Sequence, residues 1–297
     1  MSKKKITLII MLVLLFIGLC VLLYPSISSY WNSKTQSRAV SNYEDFIKSM
    51  MPEDYDAFFE EAEAYNASLR EVQFPLKNYN QVEGYFDVMN LDGEGMMGYV
   101  TIDSIGVEIP IYHGTSDKVL AFAAGHMQGT SIPIGGESTH SVLSAHRGLP
   151  NARLFTDLPK VQVGDSFTVT ILDRVMIYQV DQILTVLPEN TTEINVVEEQ
   201  DYCTLITCTP YGINSHRLLV RGTRVETLST KQRYVGDEAY RIDELVVTPI
   251  VAIPIIFILL IIVALQPVKQ IQIMDNDMYD DDEEDEKKPG EDSEPEK

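Results

Sequence analysis

Residues 202–225 read YCTLITCTPYGINSHRLLVRGTRV, two β-rich runs on either side of a short loop. Apolar and β-branched residues lead up to Cys208, Pro210 and Gly212 turn the chain, and a second β-rich run begins at Arg217. Two such runs joined by a short loop predict an antiparallel hairpin that brings Arg217 back beside Cys208. A thiol at the end of a strand, next to a loop, is held by a rigid element and remains open to a substrate.

Several other short β-rich runs precede the hairpin and are separated by turn residues. They cover residues 99–102, 107–111, 141–144, 166–171 and 176–186. Many short strands with few helical breaks predict a mainly β protein with a closed or nearly closed barrel. Helical insertions are predicted at residues 118–127 and 151–158.

An acidic helical segment lies before the barrel, between residues 41 and 70. Pro52 divides it into two helices, and the second helix carries apolar residues at helical spacing on one face. That face consists of Tyr55, Phe58, Phe59, Ala62, Tyr65 and Leu69. We interpret it as a packing face that covers the neighbouring domain.

The charge balance excludes one class of partner. The formal net charge is −21, and no basic stripe is available to neutralise phosphates, so the sequence predicts no nucleic-acid binding. Residues 280–286 are all acidic and are interpreted as part of a solvated tail. The sequence predicts no cofactor and no metal site.

Two apolar runs are long enough to cross a membrane. Residues 6–24 follow three lysines, and residues 245–265 carry no charge. Because basic flanks stay in the cytoplasm, the region between the runs is predicted to be extracellular, with both termini cytoplasmic and lipid as a partner. A cleaved signal peptide in place of the first anchor stays open, since it has the same charged start.

The cysteines do not predict a disulfide bond. Cys20 lies in the first apolar run, whereas Cys203 and Cys208 share one strand at an odd offset. Side chains alternate between the two faces of a strand, so these two thiols point apart and cannot bridge without distortion. Cys208 is therefore free to react.

A nucleophilic thiol needs an acid or base as a partner, and Arg217 cannot act as a base because its guanidinium is permanently charged. His146 follows the apolar strand 141–144 and sits where a strand meets a loop. His113 and His126 have similar positions, so spacing alone leaves all three open.

Particular motifs resemble those of the sortase family. Residues 204–208 (TLITC) look like the TLxTC signature of sortases, and residues 209–222 (TPYGINSHRLLVRG) resemble its pilus-assembling class C. Residues 143–150 (LSAHRGLP) match the histidine segment of that class, and residues 98–100 and 110–115 match its first two strands. The resemblance covers roughly residues 96–225.

The resemblance implies an eight-stranded barrel with the triad Cys208, His146 and Arg217. It implies cleavage of an LPXTG-like sorting signal between Thr and Gly, with transfer to a pilin lysine as a cysteine transpeptidase. Thr207 and Thr209 are candidates for supporting hydrogen bonds to the substrate.

The resemblance also implies a lid over the active site. The lid of class C carries Asp-Pro-aromatic, which this chain lacks before the barrel. Phe74 and Pro75 are the nearest equivalent and are expected to fill the groove.

The predicted organisation has six parts. They are an N-terminal membrane segment (1–30), a helical segment with the lid (31–95), the catalytic barrel (96–228), a linker (229–244), a second membrane helix (245–266) and an acidic cytoplasmic tail (267–297). Two alternative functions remain: a sortase that anchors surface proteins to a cell-wall amine, and a non-catalytic membrane factor in pilus assembly.

Overall fold

The described part of the chain comprises residues 3–91, 93–225 and residue 256 of a computed structural model. Residues 3–91 and 93–225 belong to one unit, and residue 256 belongs to a second. The predicted linker, second membrane helix and acidic tail, residues 229–297, lie outside the described residues except for residue 256.

Two long helices precede the barrel. Helix α1 spans Lys3–Ser49 without interruption, although Pro25 lies inside it. Its most apolar 18-residue window has a mean hydropathy of 2.7 and is not buried at all, so α1 is long and apolar enough to cross a membrane. Helix α2 spans Pro52–Arg70 and begins at its proline, which fits the first helical turn because the missing N–H would have no partner there.

The predicted apolar face of α2 packs against the barrel. Tyr55, Phe59, Ala62, Tyr65 and Leu69 are all buried and belong to the main hydrophobic core. Two helices of four residues follow: α3 at Pro75–Asn78 and α4 at Asp117–Leu120.

Eight strands form the sheet. They are β1 Met96–Ile102, β2 Val107–His113, β3 Ala124–His126, β4 Thr139–Ser144, β5 Ser166–Ile171, β6 Arg174–Val186, β7 Asp201–Thr209 and β8 His216–Arg224. Short 3-10 turns lie at Tyr79–Gln81, Asp103–Ile105, Leu158–Lys160 and Thr192–Ile194.

The sheet closes on itself in the order β1-β2-β3-β4-β7-β8-β6-β5, which confirms the predicted closed barrel. The pairs β2–β3 and β4–β7 are parallel, and the other neighbours are antiparallel. The parallel pair β4–β7 joins segments that lie about sixty residues apart in the sequence, and this pairing assembles the site described below.

One predicted helical insertion is helical only in part, and the other is wrong. Within residues 118–127 the short helix α4 gives way to strand β3, because Ala124, Gly125 and His126 insert between β2 and β4. Residues 151–158 contain turns and a single β-bridge instead of a helix. In the first segment the pairing of β3 with β2 and β4 overrides the local helical preference.

Candidate active site

The outward-facing positions of β4, β7 and β8 form one continuous surface, which we call the floor. Alternation along β7 turns Cys203 and Leu205 into the barrel core and leaves Ile206 and Cys208 on the outside. In the middle of the floor lies a separate apolar cluster, formed by Val142, Ile194, Ile206 and Leu219 with Leu76, Met127, Leu184 and Val186 packed against it.

Cys208 and Arg217 occupy one end of the floor. They are directly opposed in the β7–β8 pair, as the hairpin predicted. The Cys208 side chain is half-buried, so the thiol is held by the strand yet accessible. Arg217 donates from Nη1 to the carbonyl oxygens of Asn214 and His216, each at 3.1 Å. Within the described residues its Nε and Nη2 have no protein partner and can bind an anionic oxygen.

His146 lies at the same end through the parallel pairing of β4 with β7. The paired register runs to Ser144 opposite Ile206, and the Ala145 amide donates to the Ile206 carbonyl at 3.1 Å. Continuing that register by two residues places His146 alongside Cys208. The turn after β4 is fixed, since the His146 carbonyl accepts from the Phe155 amide at 3.1 Å.

Thr207 and Thr209 tie the nucleophile strand to the histidine turn. Thr207 is buried, and its hydroxyl donates to the Ala145 carbonyl at 2.8 Å. Thr209 accepts from Nη1 of Arg147 at 3.0 Å, and the Arg147 guanidinium lies 5.9 Å from the Tyr211 ring. Both threonines are therefore placed to hold Cys208 and His146 in register.

The other candidate histidines are structural. His113 is buried, and its ring nitrogens lie 3.0 Å and 2.8 Å from the carbonyl oxygens of Gly95 and Val88. His126 is fully buried beside the Tyr85 hydroxyl, and burial lowers its pKa to about 4. Both rings are engaged inside the fold, so of the three candidates only His146 is brought by the β4–β7 register to the end of the floor that carries Cys208.

His140 organises the opposite end of the floor. Its Nδ1–H donates to the Asn195 carbonyl at 2.9 Å, and its Nε2 accepts from the Thr204 hydroxyl at 2.7 Å. This neutral tautomer satisfies both partners, and burial lowers the pKa of His140 to about 4. Arg221 holds Asp181 in two hydrogen bonds at 3.1 Å and 2.7 Å on the same face.

A cavity of about 680 Å³ opens at this opposite end. It lies between the end of α2, α3, the β3–β4 connection and the β6–β7 connection, with His140 among its lining residues. Its volume is in the range of pockets that accept peptide side chains or small ligands.

Helix α3 covers the apolar part of the floor. Leu76 packs on the cluster that contains Val142 and Ile206, whereas Phe74 is 65% exposed. Gly129 lets α3 approach, because a Cβ there would come within 2.8 Å of the Pro75 carbonyl oxygen. Phe74 and Pro75 therefore lead into the covering helix, and Leu76 makes the contact with the floor.

Sequence reasoning missed three contributors to the site: Leu76, Arg147 and His140. Alternation along β4 could have placed His140 on the face of Val142 and Ser144, since every second residue of a strand shares a face. The contacts of Leu76 and Arg147 depend on tertiary packing, which no local pattern signals. Among the described residues no group of three or more His, Cys, Asp or Glu side chains is placed to hold a metal ion.

Comparison with known proteins agrees with this geometry. Residues 100–225 match the sortase domain. Sortase C1 of Streptococcus agalactiae is 46% identical with a TM-score of 0.59, and the match covers 64% of this chain and 98% of that one. Sortase C of Streptococcus pneumoniae is 40% identical with a TM-score of 0.56, covering 64% of this chain and 97% of that one.

A third solved relative is the Clostridium perfringens sortase C with its C-terminal cell wall sorting motif, at 40% identity and a TM-score of 0.56, covering 64% of this chain and 99% of that one. Curated relatives are more distant. Sortase A of Streptococcus agalactiae is 28% identical over 117 residues, which is 38% of this chain and 47% of that protein.

The closed eight-stranded barrel opposes a free cysteine and an arginine at its rim. The chain belongs to the sortase family, and its solved relatives are class C sortases.

Proposed function

We propose that this chain is a membrane-anchored transpeptidase that joins pilin subunits. It cleaves an LPXTG-like sorting signal between Thr and Gly through a thioester on Cys208 and transfers the acyl group to a pilin lysine. Helix α1 anchors it, and Lys3–Lys5 at its start keep that end in the cytoplasm, so that the barrel is extracellular.

One observation carries the proposal. The thiol of Cys208 and the guanidinium of Arg217 are opposed at the end of a hairpin, and the β4–β7 register brings His146 to the same end. A nucleophile, an oxyanion donor and an acid/base are the three parts that acyl transfer requires.

In the first half-reaction the Cys208 thiolate attacks the Thr carbonyl carbon of the sorting signal. The carbonyl oxygen becomes an oxyanion, and the free Nε and Nη2 donors of Arg217 stabilise it. The C–N bond to Gly then breaks as protonated His146 gives its proton to the leaving amine. The products are a Cys208 thioester, a free glycine amine and a neutral His146.

In the second half-reaction a lysine amine attacks the thioester carbonyl. Neutral His146 accepts the proton that the amine loses, and Arg217 again stabilises the oxyanion. Collapse expels the Cys208 thiolate and leaves an isopeptide bond. His146 is protonated again, so the cycle closes without a cofactor.

The solved relatives support the choice of substrate. Two of them come from streptococci, and the Streptococcus pneumoniae structure was presented as an insight into pilin substrate specificity. The floor fits an extended peptide, because the apolar cluster around Ile206 lies next to Cys208 on the same face of the sheet. Whether the acceptor is a pilin lysine or a cell-wall amine is decided by the experiment described next.

The test compares Cys208→Ala with Cys203→Ala in the full chain in lipid nanodiscs. Both thiols are free and lie on the same strand, but Cys203 is buried in the barrel core. With LPXTG peptides and a lysine-bearing pilin, we expect an acyl adduct and a lysine-linked product from wild type and from Cys203→Ala, and neither from Cys208→Ala.

Mass spectrometry locates the adduct and the acceptor. An adduct that Cys208→Ala still forms would overturn the assignment of the nucleophile. Transfer only to a cell-wall amine would replace pilin joining by surface anchoring.

The covering helix α3 gives a second prediction. Leu76→Ser removes the one side chain of α3 that contacts the apolar cluster, so the lid should open more often and peptide cleavage should become about three- to tenfold faster. Phe74→Ser is the matched control, because Phe74 lies two residues away and is exposed.

Initial rates with a fluorogenic LPXTG peptide measure the effect of both substitutions. An equal rate for Leu76→Ser and wild type would contradict a covering role for α3. A faster rate for Phe74→Ser alone would show that Phe74, the residue predicted from the sequence, covers the site.

A further inference from the structure

The catalytic end of the barrel and the membrane end of α1 are linked by direct contacts. Asn32 of α1 donates from Nδ2 to the Asn151 carbonyl at 2.7 Å, and Asn151 lies in the turn that follows His146. One turn further on, Gln36 donates to the Phe122 carbonyl at 2.7 Å. Further along α1, toward its C-terminal end, the Tyr43 hydroxyl donates to the Met97 carbonyl at 2.7 Å. These contacts fix the barrel along the helix.

This docking sets the height of the active site above the lipid. The apolar run of α1 ends at Tyr24, and Asn32 follows eight residues later. At ~1.5 Å rise per residue, the histidine turn meets α1 about 12 Å beyond the end of that run. The strands β4 and β7 run in parallel, and both end near the turn that contacts Asn32. The end of the barrel that carries Cys208 is therefore the end nearer to the membrane segment of α1.

The surface at this end has the composition of a membrane interface. On α1, Tyr24, Tyr30 and Trp31 are 61%, 57% and 69% exposed, and Lys34 lies over the Tyr30 ring at 5.8 Å. Exposed tyrosine and tryptophan next to lysine are typical of a helix leaving a bilayer. On the barrel, the loop between β7 and β8 exposes Ile213 at 71%.

Several segments at this end are basic although the chain as a whole is acidic. Residues 30–38, 145–160 and 209–217 lie here and carry six basic residues and one acidic one, Asp157, which pairs with Arg153 and Lys160. Strand β6 also ends here, with Val186 opposite Arg217, and the connection that follows it adds Glu189. The basic residues are Lys34, Arg38, Arg147, Arg153, Lys160 and Arg217. At the opposite end, residues 195–201 lead into β7 and carry Glu198, Glu199 and Asp201 with no basic residue.

We propose that the catalytic end of the barrel lies on the bilayer surface, with the β7–β8 loop inserted among anionic lipid headgroups through Ile213. The inference rests on the proposed membrane anchoring by α1. Anionic lipid is the occupant that both observations favour, because it takes an apolar side chain at the interface and pairs with basic residues around it.

The experiment uses tryptophan as a depth probe, since Trp31 is the sole tryptophan of the chain. Three full-length chains are placed in nanodiscs of phosphatidylcholine and phosphatidylglycerol with a nitroxide on the headgroup. They are the native chain, Trp31→Phe with Ile213→Trp, and Trp31→Phe with Val197→Trp. Val197 is the matched control, because it is also an exposed apolar loop residue but lies at the opposite end of the barrel.

We expect the headgroup nitroxide to quench about half of the emission of Trp31 and of the indole introduced by Ile213→Trp, and little of that introduced by Val197→Trp. Omitting phosphatidylglycerol should reduce quenching for Ile213→Trp and leave that of Trp31 unchanged, because only the loop depends on the basic surface.

Equal quenching for Ile213→Trp and Val197→Trp would overturn the proposal. An unquenched Trp31 would overturn the membrane anchoring as well, so the two failures are distinguishable. The emission of the Ile213→Trp chain could instead change with protein concentration and not with the lipid label. That result would show that the loop contacts another copy of the chain, and it would also overturn the proposal.

Discussion

Arg217→Lys should lower kcat/KM for a fluorogenic LPXTG peptide by about a hundredfold, and Arg217→Ala by up to about a thousandfold. Removing one oxyanion donor from an acyl-transfer site costs on the order of 10²–10³ in rate. Lysine keeps the charge but loses the planar fork. Nη1 of that fork binds the carbonyls of Asn214 and His216, and Nε and Nη2 have no partner among the described residues.

Arg221→Lys is the matched control for this prediction. Arg221 lies four residues along the same strand and on the same face, where it holds Asp181 and stacks over Tyr202 at 4.3 Å. Because Arg221 does not lie opposite Cys208, we expect the kcat/KM of the Arg221→Lys variant to stay within about threefold of wild type. Equal losses from both substitutions would show that β8 is merely destabilised and would remove Arg217 from the chemistry.

The β7–β8 hairpin is a feature that the local sequence is sufficient to predict. The length of the loop 210–215 and the alternation of the two runs are enough to oppose Cys208 and Arg217, and the structure pairs them. The same alternation separates Cys203 from Cys208, of which the first is buried and the second half-buried. Such pairings are predictable because every contact that fixes them lies within about twenty residues.

The position of His146 depends on a different kind of information. Spacing alone left His113, His126 and His146 open, and the parallel pairing of β4 with β7 distinguishes them. That pairing joins segments about sixty residues apart in the sequence. The periodicity of a strand predicts which face of the sheet a residue occupies, but it does not predict which strand is the neighbour. Family resemblance supplied the choice that local patterns could not.

The covering of the floor was the least predictable feature. Phe74 and Pro75 were the candidates for a lid because they are the nearest equivalent of the Asp-Pro-aromatic sequence that the resemblance to class C implies. In the structure Phe74 has a left-handed backbone with φ of 56° and an exposed side chain, and Leu76 makes the contact. The direction of a side chain after such a turn depends on what the turn packs against, here the backbone around Gly129.

His146→Ala should lower the rate of peptide cleavage by about 10²–10⁴, the usual contribution of a positioned acid/base. The matched control is His216→Ala, because His216 lies beside Arg217 at the start of β8. Among the described residues its ring makes one hydrogen bond, with the Ser215 hydroxyl at 2.9 Å. We expect this control to cleave the peptide within about threefold of wild type.

A change of leaving group then separates proton transfer from oxyanion binding. In a thioester analogue of the LPXT–G bond the leaving thiol has a pKa of ~8.5 and departs without a proton, so an acid is no longer needed. At pH 9, where an ordinary thiol is largely ionised, acylation of Cys208 by this analogue should recover to within about tenfold of wild type in His146→Ala. Arg217→Ala should stay slow, because the oxyanion still forms. Acylation that remains equally slow in both variants would mean that His146 positions Cys208 or the substrate and does not deliver the proton.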